Sequence, residues 1–223
     1  MKLYFKGKKQ ASDTFRLGLL LSMVGGFTDA YTFVTRGKVL ANAQTGNIVF
    51  FGLRLVEKKW EKAFFYFLPI FAYIMGIIIA EYIRIKFKNS KFHWRQIILI
   101  IEIIVLFICG FVPMGNLDVF VNISISFMCS LQVQAFRKTN GNVSATTMCT
   151  GNLRSGTENL FYFITKKDKN VGKNSLIYFG LIFFFIMGAI MGSFFSEWIF
   201  EKAILVACLI LLSVFFIMFR EKI

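Results

Sequence analysis

The sequence has little of what a water-soluble protein carries on its surface. Charged residues fill only 17% of its 223 positions, where an ordinary soluble domain has about a quarter. Only 12 residues are acidic. This scarcity excludes a soluble enzyme and a disordered tail protein. There is one histidine, His93, and without a second histidine or a carboxylate at ligand spacing a zinc site of the H-E-x-x-H type cannot be built. No metal or other cofactor is expected. The four cysteines, Cys109, Cys129, Cys149 and Cys208, lie in or beside apolar segments with no C-x-x-C spacing. They read as buried small hydrophobes, which excludes a secreted disulfide scaffold. No nucleophile with a base and no phosphate loop is visible, so the chain is not expected to be an enzyme.

What is present is apolar: 57% of the residues are hydrophobic, 29 are phenylalanine, and the mean hydropathy is +0.64. These residues fall in blocks near bilayer length, so lipid is the expected solvent and partner. A net charge of +14 would suggest nucleic acid in a soluble chain. Here Lys and Arg crowd the ends of apolar segments, where membrane topology places them, and no nucleic-acid partner is expected. Residues 1–16, with Lys2, Lys6, Lys8, Lys9 and Arg16, imitate the start of a signal peptide. Ala41-Asn42-Ala43 even imitates its cleavage site, but it lies too far beyond the apolar run, which is therefore read as a retained first span.

Six segments are long enough to cross about 30 Å of hydrocarbon: 17–35, 63–83, 97–113, 117–136, 176–200 and 203–219. Two others are not. The stretch from Thr45 to Val56 would reach only about 18 Å as a helix, and that from Thr150 to Thr165 carries Asn152, Arg154, Ser155, Thr157, Glu158 and Asn159. Both are read as half-helices. Each begins with Thr-Gly-Asn, at Thr45-Gly46-Asn47 and Thr150-Gly151-Asn152, 105 positions apart. At that offset Asp29-Ala30-Tyr31 falls on Gln134-Ala135-Phe136, and Ile74-Met75-Gly76 matches Ile186-Met187-Gly188 at an offset of 112. The common order points to a duplicated unit, 17–113 and 117–219.

Charge then orients the copies. If the short segments cross, Lys plus Arg divide 16 inside to 10 outside; if they re-enter, the division is 19 to 7 and both termini are cytoplasmic. The expected fold is therefore all-α and polytopic, with six transmembrane helices and two half-helices in two inverted repeats. Lys58, Lys59 and Lys62 outside count against this arrangement. The N-termini of both short helices would then converge at mid-depth, where unpaired N–H groups and partial positive charge suit a small polar or anionic solute. Candidate binding residues are Asp29, Tyr31, Thr45, Gly46, Asn47, Gln132, Gln134, Thr150, Gly151 and Asn152. Thr is expected as the N-cap, Gly to admit a close backbone approach, and Asn to supply a donor and an acceptor. An alternative stays open: the same residues cap and pack the helices of a non-transporting membrane protein. Asp29 has its own alternative, an interfacial pair with Arg36 or Lys38. Glu102 is a candidate second titratable site, with a pair with Arg95 or a snorkelling position as the preferred alternatives, and Glu81 is expected to pair with Arg84. A homo-oligomer is possible.

Gly25-Gly26-Phe27-Thr28-Asp29-Ala30-Tyr31 and Ala41-Asn42-Ala43-Gln44-Thr45-Gly46-Asn47 resemble the first block of the YoaK-like bacterial membrane proteins, a family of unknown function. Met128 to Ala135 and Thr146 to Leu153 are similar to its second block, with Val133-Gln134 where the family often has Asn-Ala. The resemblance implies a multi-pass protein of the bacterial plasma membrane and carries over no substrate.

Overall fold

The computed structural model describes residues 14–87, 93–144 and 146–220. Residues 1–13 of the basic segment, with Lys88 and Lys91, lie outside the described residues. The rest is all-helical apart from one small ribbon. In chain order the helices are α1 (Phe15–Thr35), α2 (Gln44–Val56), α3 (Trp60–Lys86), α4 (Trp94–Cys109), α5 (Asp118–Ala135), α6 (Cys149–Lys166), α7 (Lys169–Ile199) and α8 (Ile204–Arg220). The six long segments of the sequence fall on α1, α3, α4, α5, α7 and α8, and the two short ones on α2 and α6.

Three described stretches are long and apolar enough to cross a membrane: Phe15–Thr35, Trp60–Lys86 and Lys169–Met218. The last is a hairpin, because a 3-10 turn at Phe200–Ala203 divides α7 from α8. Large apolar side chains such as Ile74, Ile78, Ile104, Phe107, Phe183, Ile186 and Ile190 are exposed. Water would penalise that surface and hydrocarbon does not.

Two local features interrupt the long helices. Between α6 and α7 only Lys167 and Asp168 are non-helical. Lys167 closes α6 in the left-handed conformation, and the Asp168 carboxylate accepts the Asn170 N–H at 2.8 Å to start α7. A ribbon, β1 (Lys138–Thr139) with β2 (Asn142–Val143), follows α5. Its turn is Asn140-Gly141, both at positive φ (50° and 83°), the pairing that two-residue hairpins require.

Named contacts fix the helix directions. Along α1 and α5, Leu21 meets Gln132 through its carbonyl, and the Arg36 carbonyl accepts from Asn122 at 2.9 Å. One chain number rises as the other falls, so these helices are antiparallel. Pro69 meets Ser126 and Glu81 meets Gln134, making α3 and α5 parallel. Met23 abuts Gly188 and Phe27 abuts Gly192, making α1 and α7 parallel. Arg36 reaches the carbonyls that end α4, and Gly110 at that end touches Leu205 at the start of α8. Thus α1, α4 and α7 run one way, and α3, α5 and α8 the other. The packing also recurs: α1 lies on α7 as α5 lies on α3, α2 on α3 as α6 on α7, and α1 on α8 as α5 on α4.

The α1–α7 seam is the tightest contact. A Cβ at Gly26 would overlap the Phe185 carbonyl, and one at Gly188 the Met23 carbonyl. Glycine is required there so that two backbones can touch. The Gly188-x-x-x-Gly192 spacing is thus a packing motif.

Candidate functional site

The chain leaves α1 at Arg36 and then turns back along it. By Asn42 it has returned to the level of Gly25, the midpoint of α1, where the Asn42 Nδ2 donates to the Gly25 carbonyl at 3.0 Å and to Thr28 Oγ1 at 3.1 Å. From there α2 starts. The segment between α5 and α6 reaches the same level from the opposite end: a Cβ on Gly25 would lie 2.9 Å from Thr147 Cγ2, and Gln132 donates to Thr146 Oγ1 at 3.1 Å. Two residues beyond Thr147, α6 starts. The two short helices therefore begin side by side at mid-height.

Between them lies a cavity of about 1120 Å³. Asp29, Thr45, Gln134, Thr150, Gly151 and Asn152 all line it, so six residues singled out in the sequence are brought together. Asn42, Gln44, Arg137, Ser144, Thr147 and Ser155 add polar groups, and Phe33, Leu40, Val133, Met148 and Phe185 add apolar wall.

The other four candidates are placed elsewhere. The Tyr31 hydroxyl donates to the Glu201 carbonyl at 3.1 Å and accepts from Arg36. Gly46 does not line the cavity, and a Cβ there would meet nothing within 4 Å. Asn47 is buried with its amide turned onto the Leu40 carbonyl (3.4 Å) and Gln44 Oε1 (3.2 Å). Gln132 donates to the Leu21 carbonyl at 3.1 Å. Tyr31 and Gln132 thus tie separate helices together and Asn47 ties α2 to its own lead, because a buried amide or hydroxyl must find a partner and the nearest one is the chain itself.

Capping also differs from expectation. The N-caps are Ala43 and Met148, neither with a side-chain cap, and Thr45 and Thr150 stand at the second helical position. The lead into α2 is held from α1: the Asp29 carboxylate accepts the Asn42 N–H at 2.8 Å and also the Ala43 N–H, just ahead of the first helical turn. It pairs with neither Arg36 nor Lys38; Lys38 stacks over Phe33 at 4.8 Å. Gln134, its counterpart, donates to Glu81 and accepts from Arg137.

Four features differ from the sequence reading or were missed by it. Arg36 is fully buried, bonded to Tyr31 Oη, to Asp118 Oδ1 (3.0 Å) and to the carbonyls of Cys109, Val112 and Pro113. Glu81 bridges Arg84 (2.8 Å) and Arg137 (3.6 Å); the Glu81–Arg84 pair was expected, the reach to Arg137 was not. Glu102 is fully buried with neither oxygen hydrogen-bonded, so the expected pair with Arg95 does not form; Arg95 instead donates to the Ala135 carbonyl at 2.8 Å. His93 is the N-cap of α4, its Nδ1 accepting the Arg95 N–H.

A cavity set among apolar helices compatible with a membrane protein is the class that these features define. Over residues 17–217 the chain matches the family described as "Protein of unknown function (DUF1275)". It belongs to that family, in agreement with the resemblance read from its two motif blocks. No curated protein and no solved structure matches it.

Proposed function

We propose that this protein is a multi-pass transporter or channel of the bacterial plasma membrane, moving a small polar or anionic solute through the cavity between α2 and α6. In this reading α1, α3, α4, α5, α7 and α8 cross the bilayer, and α2 and α6 enter from opposite faces and return. The two units are inverted repeats, and both termini are cytoplasmic. The opposed directions of α1 and α5 support the inversion, as do the recurring helix contacts and the return of Asn42 and Thr147 to one level. The observation that carries the reading is that Thr45 and Thr150, one from each unit, line a single cavity. Two helix N-termini aimed at one space lower the cost of dehydrating a solute with negative charge. No step of it calls for an enzyme.

Purified protein in liposomes, screened with labelled solutes, tests it. Uptake above that of empty liposomes, lost on Asn152→Ala with the protein still folded, is the expected result. No uptake of any class by folded protein contradicts it. A second reading, a non-transporting membrane protein, draws on Tyr31, Asn47 and Gln132, which turn their polar groups onto their own chain.

A further inference from the structure

The two poles of the cavity are chemically unlike, and together they select a solute. At the α2 pole stands Asp29, the one acid among the described lining residues. At the α6 pole stand the first turn of that helix, with Thr150 and Gly151, and the Arg137 guanidinium. Arg84 and Arg137 share a single carboxylate, Glu81, which leaves this rim net positive. Resting on the transport reading above, we propose that the solute is a zwitterionic amino-carboxylate with an apolar side chain. Its carboxylate sits at α6 and its ammonium at Asp29, and its side chain lies on the apolar wall.

The argument starts from the repeat. The lead into α2 already holds a carboxylate, since Asp29 takes the Asn42 and Ala43 N–H groups immediately before the helix. Its equivalent at α6 is Gln134, neutral and turned to Glu81 and Arg137. A solute carboxylate at α6 would take the place that Asp29 fills at α2. Gly151 leaves room for it: a Cβ there would meet nothing within 4 Å, so no packing demands a glycine. Beside Asp29, the Oδ1 of Asn42, a residue only 6% exposed, receives no hydrogen bond. It is a buried acceptor left without a donor at the Asp29 end of the cavity, and an ammonium group is the kind of donor that it lacks. The apolar wall and a volume of about 1120 Å³ suit an organic body better than a small inorganic ion.

The test is thermal stabilisation of the detergent-purified protein by L-leucine and L-phenylalanine, by phenylpropionate, which lacks the ammonium, by phenethylamine, which lacks the carboxylate, and by inorganic phosphate. The amino acids should stabilise, and each half-analogue should bind about tenfold or more weakly. Arg137→Gln, at the exposed rim, should weaken phenylalanine binding about tenfold and leave phenethylamine binding unchanged. Phenylpropionate or phosphate binding as well as phenylalanine, or no shift by either amino acid, overturns the proposal. Liposome uptake separates it from the transport reading. Uptake of some other solute without amino-acid binding removes the solute class alone, and amino-acid binding without uptake removes transport alone.

Discussion

Gly151 and Gly188 both stand inside helices, where glycine costs about 1 kcal/mol relative to alanine. At Gly188 packing explains the cost, because a methyl group would run into the Met23 carbonyl. At Gly151 nothing in the chain does. Gly188→Ala should therefore destabilise by about 1–3 kcal/mol, whereas Gly151→Ala should be neutral or stabilising by up to about 1 kcal/mol. Melting curves in detergent measure both, and a Gly151→Ala protein that is more stable but inactive would mark a glycine kept for a ligand. Asp29 also combines two roles, since it lines the cavity and holds the lead into α2. Asp29→Ala leaves two backbone donors without their acceptor and should cost about 1–3 kcal/mol. Asp29→Asn keeps one acceptor oxygen and should cost less. Faster hydrogen exchange at Asn42 and Ala43 in Asp29→Ala, but not in Thr45→Ala, checks the cause. Asp29 was legible as a candidate because a carboxylate in an apolar run is costly. Its partner was not, because Asn42 meets it only after the chain folds back.

At the scale of the helices, Arg36 is the knot of one end of the bundle. It joins the end of α1 to the turn between α4 and α5, and through Tyr31 to the turn between α7 and α8. The Arg fork can serve so many acceptors at once; Lys has three donors on a point charge and cannot. Arg36→Met, which takes the guanidinium from three carbonyls and leaves Asp118 with only the Gly115 N–H, should cost about 3 kcal/mol, and Arg36→Lys should recover less than half of it. Thermal melts of both variants decide this, and full stability in Arg36→Met would show the network to be incidental. The long helices were readable from runs of apolar residues, and the short pair from their length and polar content. Capping was not, because the sequence suggests Thr45 and Thr150 as caps while the helices begin one residue earlier, at Gln44 and Cys149. The ribbon at residues 138–143 was legible in principle from Asn140-Gly141 but is too short to show a strand period.

At the scale of the molecule, the recurrence of Thr-Gly-Asn 105 residues apart stands beside a recurring set of helix contacts, and both support the proposed repeat. The cavity itself was not legible, since its wall draws residues from α1, α2, α5, α6 and α7 and no local pattern brings these together. Charge bias and helix direction together predict the face on which each loop lies. In a background lacking native cysteines, a cysteine at Lys59 should react with an impermeant reagent from outside the cell, and one at Arg84 only after the membrane is opened. The reverse result would invert the orientation, and equal reaction at both would remove the alternation of helices.

The central claim is that the N-termini of α2 and α6 share one water-reached space at mid-depth. Single cysteines at Thr45 and Thr150, in liposome-reconstituted protein lacking its native cysteines and with Lys59→Cys as the folded control, measure it through their rates of reaction with a small charged thiol reagent. The account predicts that both positions react, and that reagent attached at either one slows the reaction of a second cysteine introduced at the other. Protection of Thr45 and Thr150 from the reagent, with Lys59→Cys fully labelled, would mean that the two helix ends meet in a dry contact, and would contradict the account.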